Sequence, residues 1–331
     1  MSAIAPAISD RRAPFPVGPI AGLGFLAVAA ALTVALPLLV YTTSLALFGI
    51  SHVLSELHYI DRRFSARLGA GMLVRIGAPV AVAVTALAAA TLRLVSARMT
   101  VTIELAAAAG LVVGALCLMH RRRLVGAAIG MLLAVGAVVA PFQLLLGLAI
   151  LHNLTPLGFF AEALSGPARR RALALLAVPL IGLPLLIATG LPFAVLARLG
   201  LALPEAGFLA SGPLTLNLGA YVPAGLVSTG WALQAFSAAV FAQIMHYTAV
   251  IVLLPRLLDR PPSPTVAPWP RAGRLVAALL AAAFAFALLF VLDYRLARQL
   301  YALAALAHGW IEIPILLLAW GGFAAAQPAR A

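Results

Sequence analysis

Apolar residues run along this chain in blocks of about 20, broken by short polar clusters, and the blocks show no alternation of period two. A run of that length crosses the hydrocarbon of a bilayer as a helix, and the absence of alternating ten-residue segments argues against a barrel. The pattern predicts about ten transmembrane helices at roughly 18–37, 40–61, 69–92, 100–119, 124–140, 142–165, 172–196, 227–256, 274–292 and 300–321. The stretch from 18 to 60 is too long for one crossing, and Pro37 divides it. Pro179 and Pro184 predict a kink in the seventh helix. A Gly/Pro-rich connector covers about 199–225, and a polar loop runs from Asp259 to Pro270. The expected architecture is therefore all-α: one polytopic bundle at 18–321 between cytoplasmic tails at 1–17 and 322–331.

Composition agrees. The chain is 64% hydrophobic and 9% charged, with a mean hydropathy of +1.11, against about 25% charged residues in ordinary soluble domains. All 22 basic residues are arginines, and the net charge is +13. They fall in small clusters between apolar blocks, which reads as a topology signal and not as a nucleic-acid surface. With ten helices and a cytoplasmic amino terminus, sixteen arginines lie inside and five (Arg93, Arg98, Arg198, Arg295, Arg298) outside, while Arg75 snorkels from the third helix. This balance places the chain in an inner (plasma) membrane with both termini cytoplasmic. The lone cysteine, Cys117, sits in an apolar block, where packing is its expected role, and it permits neither an intrachain disulfide nor a thiolate metal site.

The candidate chemistry lies in four intramembrane histidines. His52, His152, His246 and His308 fall on the second, sixth, eighth and tenth helices, which all run from outside to inside. His52 and His246 each precede a boundary arginine, Arg62 and Arg256, by ten residues, and the other two lie roughly twelve before their helix ends. At about 1.5 Å per residue, the four imidazoles share one layer and are candidate metal ligands and catalytic residues. Glu56 and Glu312 each follow a histidine by four, Gln243 precedes His246 by three, and Asn153 adjoins His152. These four are candidate cofactor-site residues that orient the imidazoles. Imidazole and carboxylate donors without thiolate suit iron, copper or zinc, and iron for oxygen chemistry. A lone intramembrane histidine also serves simply to bond neighbouring helices. His58 and His120 read as interfacial, Glu162 as either a further ligand or a helix-end charge, and Trp231, Trp310, Trp320 and Tyr301 as packing or belt aromatics.

Gly49-Ile50-Ser51-His52-Val53-Leu54-Ser55-Glu56 resembles the first signature, Gly-Ile-Pro-His-Gly-Ala-x-Asp, of the Brp/Blh family of integral-membrane carotenoid 15,15'-dioxygenases. His152-Asn153-Leu154, Phe241 to His246, and Ala307-His308-Gly309-Trp310 are similar to its later histidine segments, in the same order. The chain has Val250 where the family carries a second histidine four residues on, Ser51 for the proline, and Val53-Leu54 for Gly-Ala. The resemblance implies an Fe(II) oxygenase cleaving or oxidising an apolar polyene with O2, its iron held by His52, His152 and His246 with His308 or a carboxylate as the fourth ligand. The partners expected are the lipid bilayer and a hydrophobic small molecule. The residues also admit an electron-transfer subunit that binds haem or quinone, and a proton-coupled transporter.

Overall fold

The computed structural model describes residues 18–119, 121–201, 211–258 and 265–321. The expected tails, His120 and parts of the two polar connectors lie outside these residues. The described chain is all-helical. Helices α1 (Pro19–Ala35) and α2 (Pro37–Thr91) are separated at Leu36. Pro37 has no N–H to give and opens the second helix, as a proline at the first helical position does. Next come α3 (Ala97–Leu118), capped by Ser96 Oγ accepting from Met99 N, α4 (Arg123–Val139), α5 (Pro141–His152) and α6 (Thr155–Ala163). Then follow α7 (Gly166–Ala177), α8 (Leu183–Ala188), α9 (Leu191–Arg198) and the short α10 (Leu214–Asn217). The chain closes with α11 (Ala232–Thr248), α12 (Ala272–Leu292) and α13 (Tyr294–Gly321).

Helix occupies most of every stretch expected to be helical. Seven spans are long and apolar enough to cross a membrane: Pro37–Leu68, Val74–Thr91, Ala97–Leu118, Gly166–Ala188, Ala232–Leu257, Ala272–Leu292 and Tyr294–Gly321. The pair α5–α6, bent by 47°, makes an eighth if it counts as one span. Ile20–Ala35 and Arg123–Val139 are apolar but shorter. The chain is thus a multi-pass membrane protein, with ten crossings expected and seven or eight reached by length and composition.

Three departures from the expected pattern have physical causes. The loop expected between the second and third helices is helical, because Arg62 to Leu68 contains no breaker and arginine, alanine and leucine are good helix formers. The sixth helix breaks after His152, because the ring of Pro156 clashes with the carbonyl four residues earlier and supplies no N–H to it. The kink expected at Pro179 takes the form of a π turn, Val178–Gly182.

Burial sorts the helices. Of the apolar window in Ala232–Leu257, 78% is buried, against 11% for Ala272–Leu292. Helix α12 turns Val276, Leu280, Phe284 and Leu288 outward, a surface that suits lipid. Two cores fill the interior. One is built around Tyr59, Phe64, Phe159, Phe160, Phe241 and Leu318, the other around Leu38, Tyr41, Phe236 and Phe290. On α2, His52 lies between Leu45 of the second core and Tyr59 of the first.

Helices α2, α3 and α13 run the same way. Tyr41 meets Arg298, His52 meets His308, and Glu104 meets Trp310. Further along α2, Asp61 accepts from Val266 N, Ala267 N and Trp269 Nε1, and from Ser65 Oγ, which pins the 265–269 segment to α2.

Candidate metal centre

The four histidines meet. His52 Nε2 lies 3.3 Å from His308 Nε2, which lies 3.1 Å from His152 Nε2. One ring nitrogen from each of the four falls within 4.8 Å of the others. His52, His246 and His308 are buried, and His152, with its side chain 21% exposed, is the most exposed of the four. Local structure aims each ring. On α2 and α13, His52 Nδ1 faces Phe48 O at 3.3 Å and His308 Nδ1 faces Ala304 O at 3.2 Å, each one turn back. His152 sits at the α5–α6 break, with Nδ1 2.9 Å from Glu312 Oε2. The Asn153 backbone lies beside His246 without a well-aligned bond to its Nδ1. Tyr247 stacks on His52, ring centroids 4.1 Å apart.

This arrangement assigns protons. A carbonyl opposite Nδ1 requires an N–H there, so neutral His52 and His308 carry their lone pairs on Nε2. The lone pairs of His52 and His308 then face each other at 3.3 Å, which is repulsive unless a positive charge stands between them. Four nitrogens about 2.0–2.1 Å from one tetrahedral ion are separated by about 3.3–3.4 Å. The spacing is that of a ligand set.

Glu56 and Glu312 complete the site, with 0% exposure each. Glu56 Oε2 lies 3.5 Å from His246 Nε2 and 4.0 Å from His308 Nε2, and Glu312 Oε1 lies 3.8 Å from His308 Nε2. No oxygen of either carboxylate finds a well-aligned donor among the described residues. Buried carboxylates left so are costly unless paired or bound to a metal. Glu56, His152, His308 and Glu312 form a second group with metal-binding spacing. The donors are therefore four imidazoles and two carboxylates, a buried cluster that can hold a metal ion.

Several expected roles change. Glu56 follows His52 in sequence but faces His246 and His308. Gln243 donates from Nε2 to Ser44 Oγ at 3.1 Å and accepts from Tyr221 Oη, so its amide orients no imidazole. Asn153 Nδ2 donates to Ala149 O and Ile150 O and finishes its own helix. Glu162 is no ligand, being paired with Arg63 at 2.9 Å and Arg67 at 3.0 Å. His58 lies away from the centre against Trp269. Cys117 is exposed on α3 instead of packed. Val250 is buried in the first core, so an apolar side chain fills the position one turn past His246.

Beside the centre lies a cavity of about 490 Å³, within the range of small-molecule sites. Leu45, Leu145, Leu148 and Leu306 give it apolar walls, and His52, His152, His308 and Glu312 line one part. Tyr41, Glu104, Tyr221, Tyr247 and Arg298 also line it and were not expected as site residues. Burial, above all, holds the Tyr221 phenol well above its usual range, so it remains an O–H donor to Gln243. A sequence signal for one of these, Arg298, exists. Tyr294, Arg298, Tyr301, Ala305, His308 and Glu312 alternate steps of four and three, the repeat that marks one helix face. Tyr301 and Trp310, expected as packing or belt residues, line the cavity as well: Tyr301 Oη pairs with Tyr247 Oη at 2.8 Å, and Trp310 Nε1 donates to Glu104 at 2.9 Å.

No protein-family model, curated protein or solved structure matches the chain.

Proposed function

We propose that this chain is a membrane-embedded oxygenase that holds a non-haem Fe(II) ion on His52, His152, His246 and His308 and acts with O2 on the double bonds of an apolar, carotenoid-like polyene. One observation carries the reading: the converging imidazole nitrogens have the separation of a metal's ligands and stand at the wall of a largely apolar cavity. The motif resemblance points the same way. A bound iron would supply the binding and reduction of O2. The protein's own groups do the rest. Glu312, 2.9 Å from His152 Nδ1, positions that ring, and Glu56 offsets positive charge beside His246 and His308. The leucine walls bind a substrate that offers little to hydrogen-bond, and burial keeps bulk water from the reacting atoms. Four imidazoles with ring nitrogens within 4.8 Å of one another favour a bare ion over haem, whose flat macrocycle would need an open slot between them.

The topology proposed with this reading has ten crossings in a plasma membrane, with α1 and α4 among them and both termini cytoplasmic. Sixteen arginines against five support it.

Co-expression with a carotenoid-producing pathway tests the reaction. The wild-type chain is expected to deplete the coloured polyene and yield shorter oxidised products, and His246→Ala to abolish both. Unchanged pigment with the folded wild type, or full activity in His246→Ala, would contradict the proposal.

A further inference from the structure

The cavity carries opposite charge at its two ends. Helix α13 places Arg295 and Arg298 in adjacent turns, but Arg295 is exposed whereas Arg298 turns inward and lines the cavity. Its Nη1 donates to Tyr41 Oη at 2.6 Å and to Tyr294 Oη at 3.4 Å, and the guanidinium lies 5.3 Å from the centre of the Tyr41 ring. Both partners are neutral phenols. Among the described residues no carboxylate comes within 4.0 Å of it in an ion pair. An arginine serving only as an interfacial anchor snorkels outward to the headgroups, as Arg295 can. A guanidinium facing inward without an anion is costly, and such a group at membrane depth marks a functional site.

The other end is acidic. Glu104 lines the same cavity and accepts from Trp310 Nε1 at 2.9 Å, two residues past His308. Glu104 disfavours an anionic group beside it, whereas Arg298 draws one to the opposite end, where Tyr41, Tyr221 and Gln243 add polar atoms. Between the ends the walls are Leu45, Leu145, Leu148, Ala302 and Leu306. Arg298 and His308 are ten residues apart on one helix, about 15 Å along its axis.

We propose that the cavity takes an elongated apolar chain ending in a carboxylate, the carboxylate seated on Arg298 and the chain running to the histidines. This rests on the reading of the cavity as the substrate site and narrows the substrate from a hydrocarbon polyene to a polyene acid oxidised about 15 Å from its carboxylate. A guanidinium holds a carboxylate by paired, charge-assisted hydrogen bonds, and an ester of the same chain loses that charge while keeping its length.

The test uses the full chain in detergent with cis-parinaric acid, a fluorescent polyene carboxylic acid, and its methyl ester. The wild type is expected to bind the acid at least about tenfold more tightly than the ester. Arg298→Gln should remove that preference while leaving ester affinity unchanged, and Arg298→Lys should keep part of it. His52→Ala should retain it, which separates headgroup recognition from the metal reading. Equal affinity of the wild type for acid and ester would overturn the proposal even if Arg298→Gln failed to fold, and so would an undiminished preference in a folded Arg298→Gln protein.

Discussion

At the scale of single residues, Glu312 is the most informative position after the histidines. It has no exposure, its Oε2 lies 2.9 Å from His152 Nδ1, and its Oε1 lies 3.8 Å from His308 Nε2. Glu312→Gln keeps the shape and removes the charge. It is expected to weaken metal binding about 10–100-fold, the usual cost of losing a group that orients a ligand, with the helical circular dichroism unchanged. Wild-type affinity in a metal titration of the variant would remove Glu312 from the centre. The four histidines and two glutamates were legible in the sequence because ionisable groups stand out in apolar helices, and their depths follow from the arginines at the helix ends. Pairing across helices was not legible. Helical spacing joined Glu56 to His52, but the rotation of α11 and α13 turns Glu56 toward His246 and His308. The same limit hid the engagement of Gln243 by Ser44 and Tyr221, since their sequence separations carry no short-range signal.

At the scale of elements, close approach of α13 to α2 depends on Gly49. A β-carbon there would stand 3.0 Å from the Tyr301 ring, and Tyr301 in turn bonds Tyr247, which stacks on His52. Gly49→Leu gains about 1 kcal/mol of helix propensity but overpacks the contact at a cost of about 1–3 kcal/mol. The side chain is also far larger than the single β-carbon that already meets the ring. A lower thermal midpoint is expected, together with weakened metal binding as Tyr247 and His52 shift. An unchanged midpoint would show that α13 does not pack against α2 as described. Element boundaries were readable where proline sets them, at Pro37 and in the region of Pro179. The break after His152 was missed even though Pro156 follows it by four, because the apolar run continues through it.

At the scale of the molecule, two of the histidine-bearing helices, α2 in its Pro37–Leu68 part and α11, lie mostly inside while α12 faces outward, so a bilayer on the outside and a polar centre within belong to one design. The arginine asymmetry that suggested ten crossings can be tested directly. In a Cys117→Ser background, single cysteines replacing Arg93 and Arg198 should react with an impermeant thiol reagent only from outside intact cells, and one replacing Arg169 only after lysis. Labelling of all three from one side would refute that topology. The central claim, that four imidazoles from four helices converge to hold one metal ion, is tested most directly by the metal content and X-ray absorption of the purified chain. About one iron per chain in a shell dominated by imidazole nitrogen is expected, falling to background in His52→Ala and His246→Ala. A folded wild-type chain that takes up no metal, or metal content unchanged in both variants, would contradict it.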